Sequence, residues 1–244
     1  MSLTTEYDKW HTNVLEANPE HPDESSPWYR LVLEYLPSLK DRRVLEIACG
    51  RGGFSRLLAS KGAIMCGADF SGSAIAIAKD KLLRNAKLAD RLAYLQADAQ
   101  CMPFGDSSFD IVISCETIEH VPDPGVAVLE MYRVCKPGGM LYLTTPNYLN
   151  LIGLYELFMA VRKKKHRSDF AQPLDRHSVF FQTRKLVRKA GWQIVRTDGT
   201  VHQVPVKGRN PITINFLEKN HGLRRCLRAV ALHYLLIGRK PEIS

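Results

Sequence analysis

"RVLEIACGRGGFSRLLASKG", residues 43–62, is the stretch on which the fold turns. Its first five residues, "RVLEI", form a short run of the buried-strand type. "FSRLLASKG", 54–62, then places Phe54, Leu57 and Leu58 at helical spacing and ends on Gly62, a suitable helix C-cap. "AIMCGAD", 63–69, is a second apolar run, so the stretch reads as one strand–helix–strand unit. The loop between strand and helix, "EIACGRGG", is rich in glycine, which lets a backbone approach a ligand where a helix N-terminus favours anionic groups. A dinucleotide fingerprint would need glycine at 55, but Ser55 stands there, and Glu46 puts a carboxylate just ahead of the loop. Neither suits a pyrophosphate.

Outward from this unit the alternation continues. A helix is predicted over 71–88, strands over 92–98 and 109–115, a helix over 124–139 and a strand over 140–146. Such alternation implies a doubly wound α/β sheet with helices on both faces. The segment 147–180 is too long for a plain crossover, with an apolar first half and a basic second half, and reads as an inserted lid or substrate segment. Residues 183–199 give a further helix, glycine and strand, and "ALHYLLIGRKP", 231–241, closes the sheet. With no internal repeat or low-complexity linker, 1–244 is expected to be a single domain. Within it, 1–35 forms a helical N-terminal cover, 36–146 a cofactor-binding core, 147–180 the insert and 181–244 the C-terminal part of the sheet.

At 244 residues with 45% hydrophobic and 24% charged content, the chain can bury a substantial core, which excludes a disordered protein. The six cysteines form no C-x-x-C pair and no zinc spacing, as expected of free thiols in a reducing compartment, and the cytoplasm is the expected location. The N-terminus lacks the charge-then-apolar order of a leader, and no run of about 18 apolar residues occurs. Charge is uneven: residues 1–150 carry a net −4 and residues 151–244 a net +13. A basic field of this kind attracts RNA, anionic lipid or acidic substrates, or simply solvates a surface.

Asp69 ends the second strand, near the spacing at which a carboxylate takes a ribose diol, and Asp98 ends the third on the same sheet edge. Here the sequence resembles the class I methyltransferases that use S-adenosylmethionine. "VLEIACGRGGFSRLLA" is similar to their first motif, "GADFSGSAIAIAK" to their second, "ADAQCMPFGDSSFDIVIS" to their third and fourth, and "VCKPGGMLYLTTPN" to the turn into their fifth strand. The resemblance implies a Rossmann-like seven-stranded sheet in the order 3-2-1-4-5-7-6 with its last strand antiparallel. It also implies that Glu46, Gly50 and Gly52 surround the methionine part of S-adenosylmethionine and that Asp69 holds the ribose hydroxyls. Phe70 packs on the adenine, Asp98 and the backbone at Ala99 complete the purine site, and Cys115 lies near the sulfonium. For Gly52, Asp98 and Phe70 the other readings are a turn, a loop cap and a core residue.

"CETIEHVPDP", 115–124, follows the fourth strand, where class I enzymes place substrate chemistry. One helical turn here would put Glu116, Glu119 and His120 at i, i+3 and i+4 on one side, and Pro122 limits its extension. The segment is similar to the E-x-x-E-H of small-RNA 2′-O-methyltransferases and ubiquinone-biosynthesis O-methyltransferases. That resemblance implies Glu116, Glu119 and His120 as ligands to Mg²⁺, Mn²⁺ or another divalent metal, with His177 completing the set. The alternative is a metal-free turn in which the glutamates satisfy backbone donors and His120 or His177 acts as a base.

For the acceptor, "LNLIGLYELFMAV" followed by "RKKKHR" suits a hydrophobic lid or, through 149–167, a peripheral membrane contact. The expected activity is transfer to a small apolar or aromatic acceptor, at oxygen. RNA is the competing acceptor, although aromatics for base stacking are sparse among the basic residues. A different class, a non-catalytic Rossmann-type nucleotide-binding or membrane-associated protein, is opposed by Ser55 and Glu46 where it would need a nicotinamide cofactor.

Overall fold

The structure, a computed structural model, describes residues 2–17, 26–151, 153–155, 172–176, 178–206 and 211–242, with side chains at 14–17 and 86 outside that description. The unit at 43–69 folds as β1 (Arg43–Ile47), α3 (Gly53–Ser60) and β2 (Ile64–Asp69), preceded by α1 (Leu3–Ala17) and α2 (Pro27–Leu33). Then come α4 (Gly72–Leu83), β3 (Leu92–Gln96), β4 (Phe109–Cys115), α5 (Pro124–Val134) and β5 (Cys135–Pro146). The C-terminal part adds α6 (Phe180–Lys189), β6 (Gln193–Thr200) and a hairpin of β7 (Gln203–Val204) with β8 (Ile212–Thr213). It ends with α7 (Asn215–Lys219), α8 (His221–Cys226) and β9 (His233–Arg239).

Seven strands form one sheet in the order β3-β2-β1-β4-β5-β9-β6. The strands from β3 through β5 are parallel, and β9 runs antiparallel to both β5 and β6. Counted along the chain, the long strands take the order 3-2-1-4-5-7-6, the Rossmann-like class I arrangement. Alternation within β1 and β4 divides the core between the two sheet faces. Val44, Ile111 and Ile113 pack with Tyr29, Val32, Phe54 and Leu58, whereas Leu45, Ile47 and Val112 pack with Val128, Met131 and Trp192.

Two helices are shorter than the sequence suggests. The helix expected over 124–139 stops at Val134, and β5 begins at Cys135. Pro137 cannot donate a helical hydrogen bond and Gly138 takes φ +75°, so "CKPGG" enters the strand instead of extending the helix. The helix expected over 71–88 ends at Leu83, and 86–88 form a separate 3₁₀ turn. The strand expected over 92–98 ends at Gln96, which leaves Asp98 in the following loop.

One consequence of the antiparallel β9 matters for the site. Its first residue, His233, pairs with Pro146, the last of β5, and so emerges on the sheet edge where the parallel strands end.

Candidate functional site

At that edge β1 runs into a tight loop. Ala48 (φ +55°), Gly50 (φ +51°) and Gly52 (φ +73°) all adopt left-handed backbone, and for Ala48 this is a strained conformation of the kind that clusters at ligand sites. Asp69 holds the loop: the Gly50 N–H donates to its Oδ2 at 2.8 Å and the Ser71 N–H to its Oδ1 at 2.9 Å. Gly52 serves packing. A Cβ there would lie 2.2 Å from the Tyr94 hydroxyl, which donates to the Gly52 carbonyl at 2.8 Å.

A cavity of about 580 Å³, within the range of small-molecule sites, opens over the ends of β1, β2 and β4. Gly50, Asp69, Phe70, Asp98, Ala99 and Cys115 line it. Glu46 and Gly52 are not among the lining residues. Glu46 is buried behind the loop, where Ser55 Oγ donates to its Oε2 and its Oε1 has no hydrogen-bond partner. Burial pushes its carboxyl up to about 8, against the opposing hydrogen bond from Ser55. Asp98 Oδ1 accepts from the Gln100 backbone N–H at 2.8 Å and from its Nε2 at 3.2 Å, so it also orders its own loop. Burial likewise raises the Cys115 thiol, keeping it protonated.

Helix α1 roofs this half of the cavity with Tyr7, Trp10 and His11, one helical turn apart and on one face. Asp8 fastens it: Asp8 Oδ1 accepts from Ser71 Oγ at 2.6 Å and from the Ser73 N–H at 3.1 Å, and the Ser71 bond lowers the Asp8 carboxyl. His11 Nε2 lies 3.9 Å from Asp69 Oδ1, and burial lowers its pKa despite that neighbour. Tyr7 packs edge-on against Phe70 and donates to the His120 carbonyl at 3.1 Å.

The far half lies at the end of β4, where the expected geometry is revised. The turn is a 3₁₀ segment, Ile118–His120, and Glu116 lies outside it at φ +51°. Glu116, Glu119 and His120 therefore do not project together from one turn. Glu116 Oε2 instead accepts from His233 Nδ1 at 2.7 Å. Glu119 is buried, accepts from Thr145 Oγ1 at 2.8 Å, and its carboxyl is raised well above the ordinary range by burial and then by Glu116. His120 Nδ1 faces the Leu174 carbonyl at 2.6 Å, and its Nε2 lies 3.6 Å from Glu119 Oε1. Burial lowers the His120 pKa.

One oxygen of Glu116 accepts from His233 and one of Glu119 from Thr145, the other oxygen of each has no hydrogen-bond partner among the described residues, and among those residues no three His, Cys, Asp or Glu side chains converge as metal ligands require. His177 lies outside the described residues. His233, Tyr7 and His11 also line the cavity, together with Gln172 and Asp175 of the 147–180 insert; the sequence placed that insert over the substrate but named none of these five as site residues. His233 was within reach of inference: an antiparallel last strand must begin at the ligand edge, so a histidine near its start belongs to the site. Tyr7 and His11 gave only a helical i, i+4 spacing, with nothing to indicate where the helix docks.

Fold and site together define a doubly wound α/β protein with a cavity at the sheet edge where the parallel strands end. Residues 45–143 match the family model described as a methyltransferase domain. The chain is 33% identical over 138 residues to the ubiquinone/menaquinone biosynthesis C-methyltransferase UbiE of Legionella pneumophila (strain Corby), covering 54% of each chain. It is 32% identical over 140 residues to the ubiquinone biosynthesis O-methyltransferase of Pseudomonas putida (strain GB-1), covering 57% of this chain and 58% of the relative. The chain spans about half the length of the curated relatives it matches. Among solved structures, the methyltransferase in complex with the Haloferax volcanii Trm112 methyltransferase activator aligns over 100% of this chain and 99% of its own, with TM-score 0.68 and 21% identity. Phosphoethanolamine N-methyltransferase 2 of Haemonchus contortus, solved with S-adenosyl-L-methionine, aligns over 99% of this chain and 60% of its own, with TM-score 0.71 and 18% identity. Residues 45–143 are thus similar to methyltransferase domains, and the chain shares the fold of solved S-adenosylmethionine-dependent methyltransferases.

Proposed function

We propose that this protein transfers a methyl group from S-adenosylmethionine to an oxygen of a small acceptor with an apolar or aromatic body. The observation that carries the reading is one continuous cavity, which joins Ala48–Arg51 of the loop and Asp69 at one end to Glu116, His120 and His233 at the other. The residues at the first end suit the cofactor: a carboxylate at Asp69 for the ribose, an aromatic ring at Phe70, and Asp98 with the Ala99 backbone for the purine edge. The sulfonium supplies an activated methyl group, so the protein's task is to align the acceptor, exclude water and accept any proton released. Trp10, Trp28, Tyr29 and Tyr148 line the cavity and favour an aromatic or apolar acceptor body.

The two relatives are named as C- and O-methyltransferases, so kinship alone does not choose the atom. Oxygen is favoured by the imidazole and carboxylate groups at the acceptor end, which a hydroxyl nucleophile needs for its proton. Among the described residues no metal-ligand set converges, so the reading uses the protein's own groups. Leu149, Leu151 and Leu154 are exposed, which supports contact of 149–167 with a membrane surface; residues 156–167 lie outside the described region. Among the described residues no helix is long and apolar enough to cross a membrane. All six cysteines are free, in keeping with a reducing compartment such as the cytoplasm.

Thermal-shift measurements with S-adenosylhomocysteine and with NAD test the cofactor. Stabilisation by the first and not the second is expected, and stabilisation by NAD alone would overturn the reading. Labelled methyl transfer into organic-extractable, polar, RNA and protein fractions, with and without chelator, then tests the acceptor. Label in the organic fraction that survives chelation is expected, whereas label confined to RNA would overturn the small-molecule reading.

A further inference from the structure

We infer that His233, held by Glu116, is the group that takes the proton from the acceptor hydroxyl, an inference that rests on the reading of methyl transfer to oxygen. Three observations converge on this side chain. His233 reaches the site only through the antiparallel course of β9, which sets it opposite Pro146 and on the cavity wall. Its Nδ1 lies 2.7 Å from Glu116 Oε2, a short contact of the charge-assisted type, and both side chains are 14% exposed, shielded but not sealed off. Glu116 makes this contact from a left-handed backbone, φ +51°, with its N–H donating to the Thr144 carbonyl at 3.0 Å. A strained non-glycine residue costs stability and persists where the surroundings impose it. Here it goes with the contact of the carboxylate on the imidazole.

The chemistry follows from the tautomer. A carboxylate can only accept, so the shared hydrogen belongs to Nδ1, and the lone pair of the neutral ring is left on Nε2. The Trp28 ring, 5.1 Å from the imidazole centre, restricts its rotation. His120, the more obvious histidine in the sequence, is worse placed. Its Nδ1 is tied to the Leu174 carbonyl, and its Nε2 is turned towards the buried carboxyl of Glu119. In the reaction, His233 Nε2 takes the hydroxyl proton as the acceptor oxygen forms its bond to the methyl carbon. The carbon–sulfur bond breaks with its electron pair remaining on sulfur, which leaves a neutral thioether. The imidazolium so formed is stabilised by Glu116 and returns its proton to water after products leave.

The test uses the full chain with two matched probes, 4-propylphenol and 4-propylaniline, and calorimetry of S-adenosylhomocysteine binding. A neutral amine attacks through its own lone pair and needs no prior proton removal, so the two probes separate proton transfer from general damage. His233→Ala is expected to lower kcat for the phenol by about 100-fold or more while KM, the aniline rate and S-adenosylhomocysteine affinity stay within about threefold. Exogenous imidazole should restore part of the phenol rate, and Glu116→Gln should give a smaller loss in the same parameter. Retention of the phenol kcat by His233→Ala, or equal loss with both probes, would overturn the assignment. If the unaltered protein binds S-adenosylhomocysteine yet methylates only the aniline, the hydroxyl acceptor and the base fall together. If it does not bind S-adenosylhomocysteine, the methyltransferase reading itself fails.

Discussion

The two ends of the cavity are built differently. At the proposed cofactor end the contacts that shape the loops are close in sequence: Gly50 to Asp69 spans 19 residues, Asp69 to Ser71 two, and Asp98 to Gln100 two, and the roof helix α1 is tied from farther off, Asp8 to Ser71 across 63. At the acceptor end they are remote: Glu116 meets His233 across 117 positions, Tyr7 meets His120 across 113, and His120 meets Leu174 across 54. Local contacts leave a motif in the chain, because the strand, its loop and the following helix must carry matched residues at fixed spacing. Remote contacts leave none. The difference predicts that substitutions at the cofactor end remove binding, whereas those at the acceptor end spare it and remove turnover.

The strongest way to break the comparison is Asp69→Ala. It removes the acceptor of both the Gly50 and Ser71 N–H groups as well as the proposed ribose contact, so S-adenosylhomocysteine affinity should fall by at least about 100-fold in calorimetry. Glu119→Gln should change it little, and equal losses from the two would erase the distinction between the ends.

Next in size is Gly52→Ala, which combines a left-handed backbone with a Cβ overlapping Tyr94, and should destabilise by about 2–4 kcal/mol in denaturant unfolding. An unchanged midpoint would show that Gly52 is not held by packing.

Glu46 sharpens the comparison through pH. Its folded-state carboxyl is raised to about 8 by burial, from an ordinary 4.5, so the unfolded chain releases its proton first. Its contribution therefore disfavours folding progressively from about pH 4.5 up to about 8 and levels off above. Glu46→Gln should raise the stability of the cofactor-free protein increasingly from pH 4.5 to pH 8 and hardly at all at pH 4. A pH-independent difference would refute the buried-acid account.

The smallest effect is expected at the roof. Asp8→Asn weakens the tie of α1 to Ser71 and Ser73 and should speed release of S-adenosylhomocysteine by about three- to fivefold, about 1 kcal/mol, measured by stopped flow.

How much of this was legible follows from the same contrast. The strand–helix alternation and the loop after β1 could be read from the chain, because hydrophobic periodicity and glycine placement are local properties, whereas the strand order and the residues Gly50, Asp69, Phe70, Asp98, Ala99 and Cys115, which the structure sets on the cavity wall, came from the resemblance of the motifs. The stop of α5 at Val134 could have been read from Pro137, which the longer helix prediction passed over. The geometry of "CETIEHVPDP" could not. Three acidic and imidazole groups at helical spacing suggest a common face, but the backbone at Glu116 is left-handed and its N–H donates to the distant Thr144 carbonyl, a contact that the local spacing does not announce. By itself the sequence determined a doubly wound sheet with a glycine-rich loop and carboxylates at its ligand edge, since each depends on residues within one strand–helix–strand unit. Only the tertiary structure decided that Glu116 pairs with His233, that α1 closes the cavity with Tyr7 and His11, and that Glu46 stands behind the loop. Those outcomes depend on which distant segments share the edge, and an antiparallel last strand and a docked N-terminal helix bring them there.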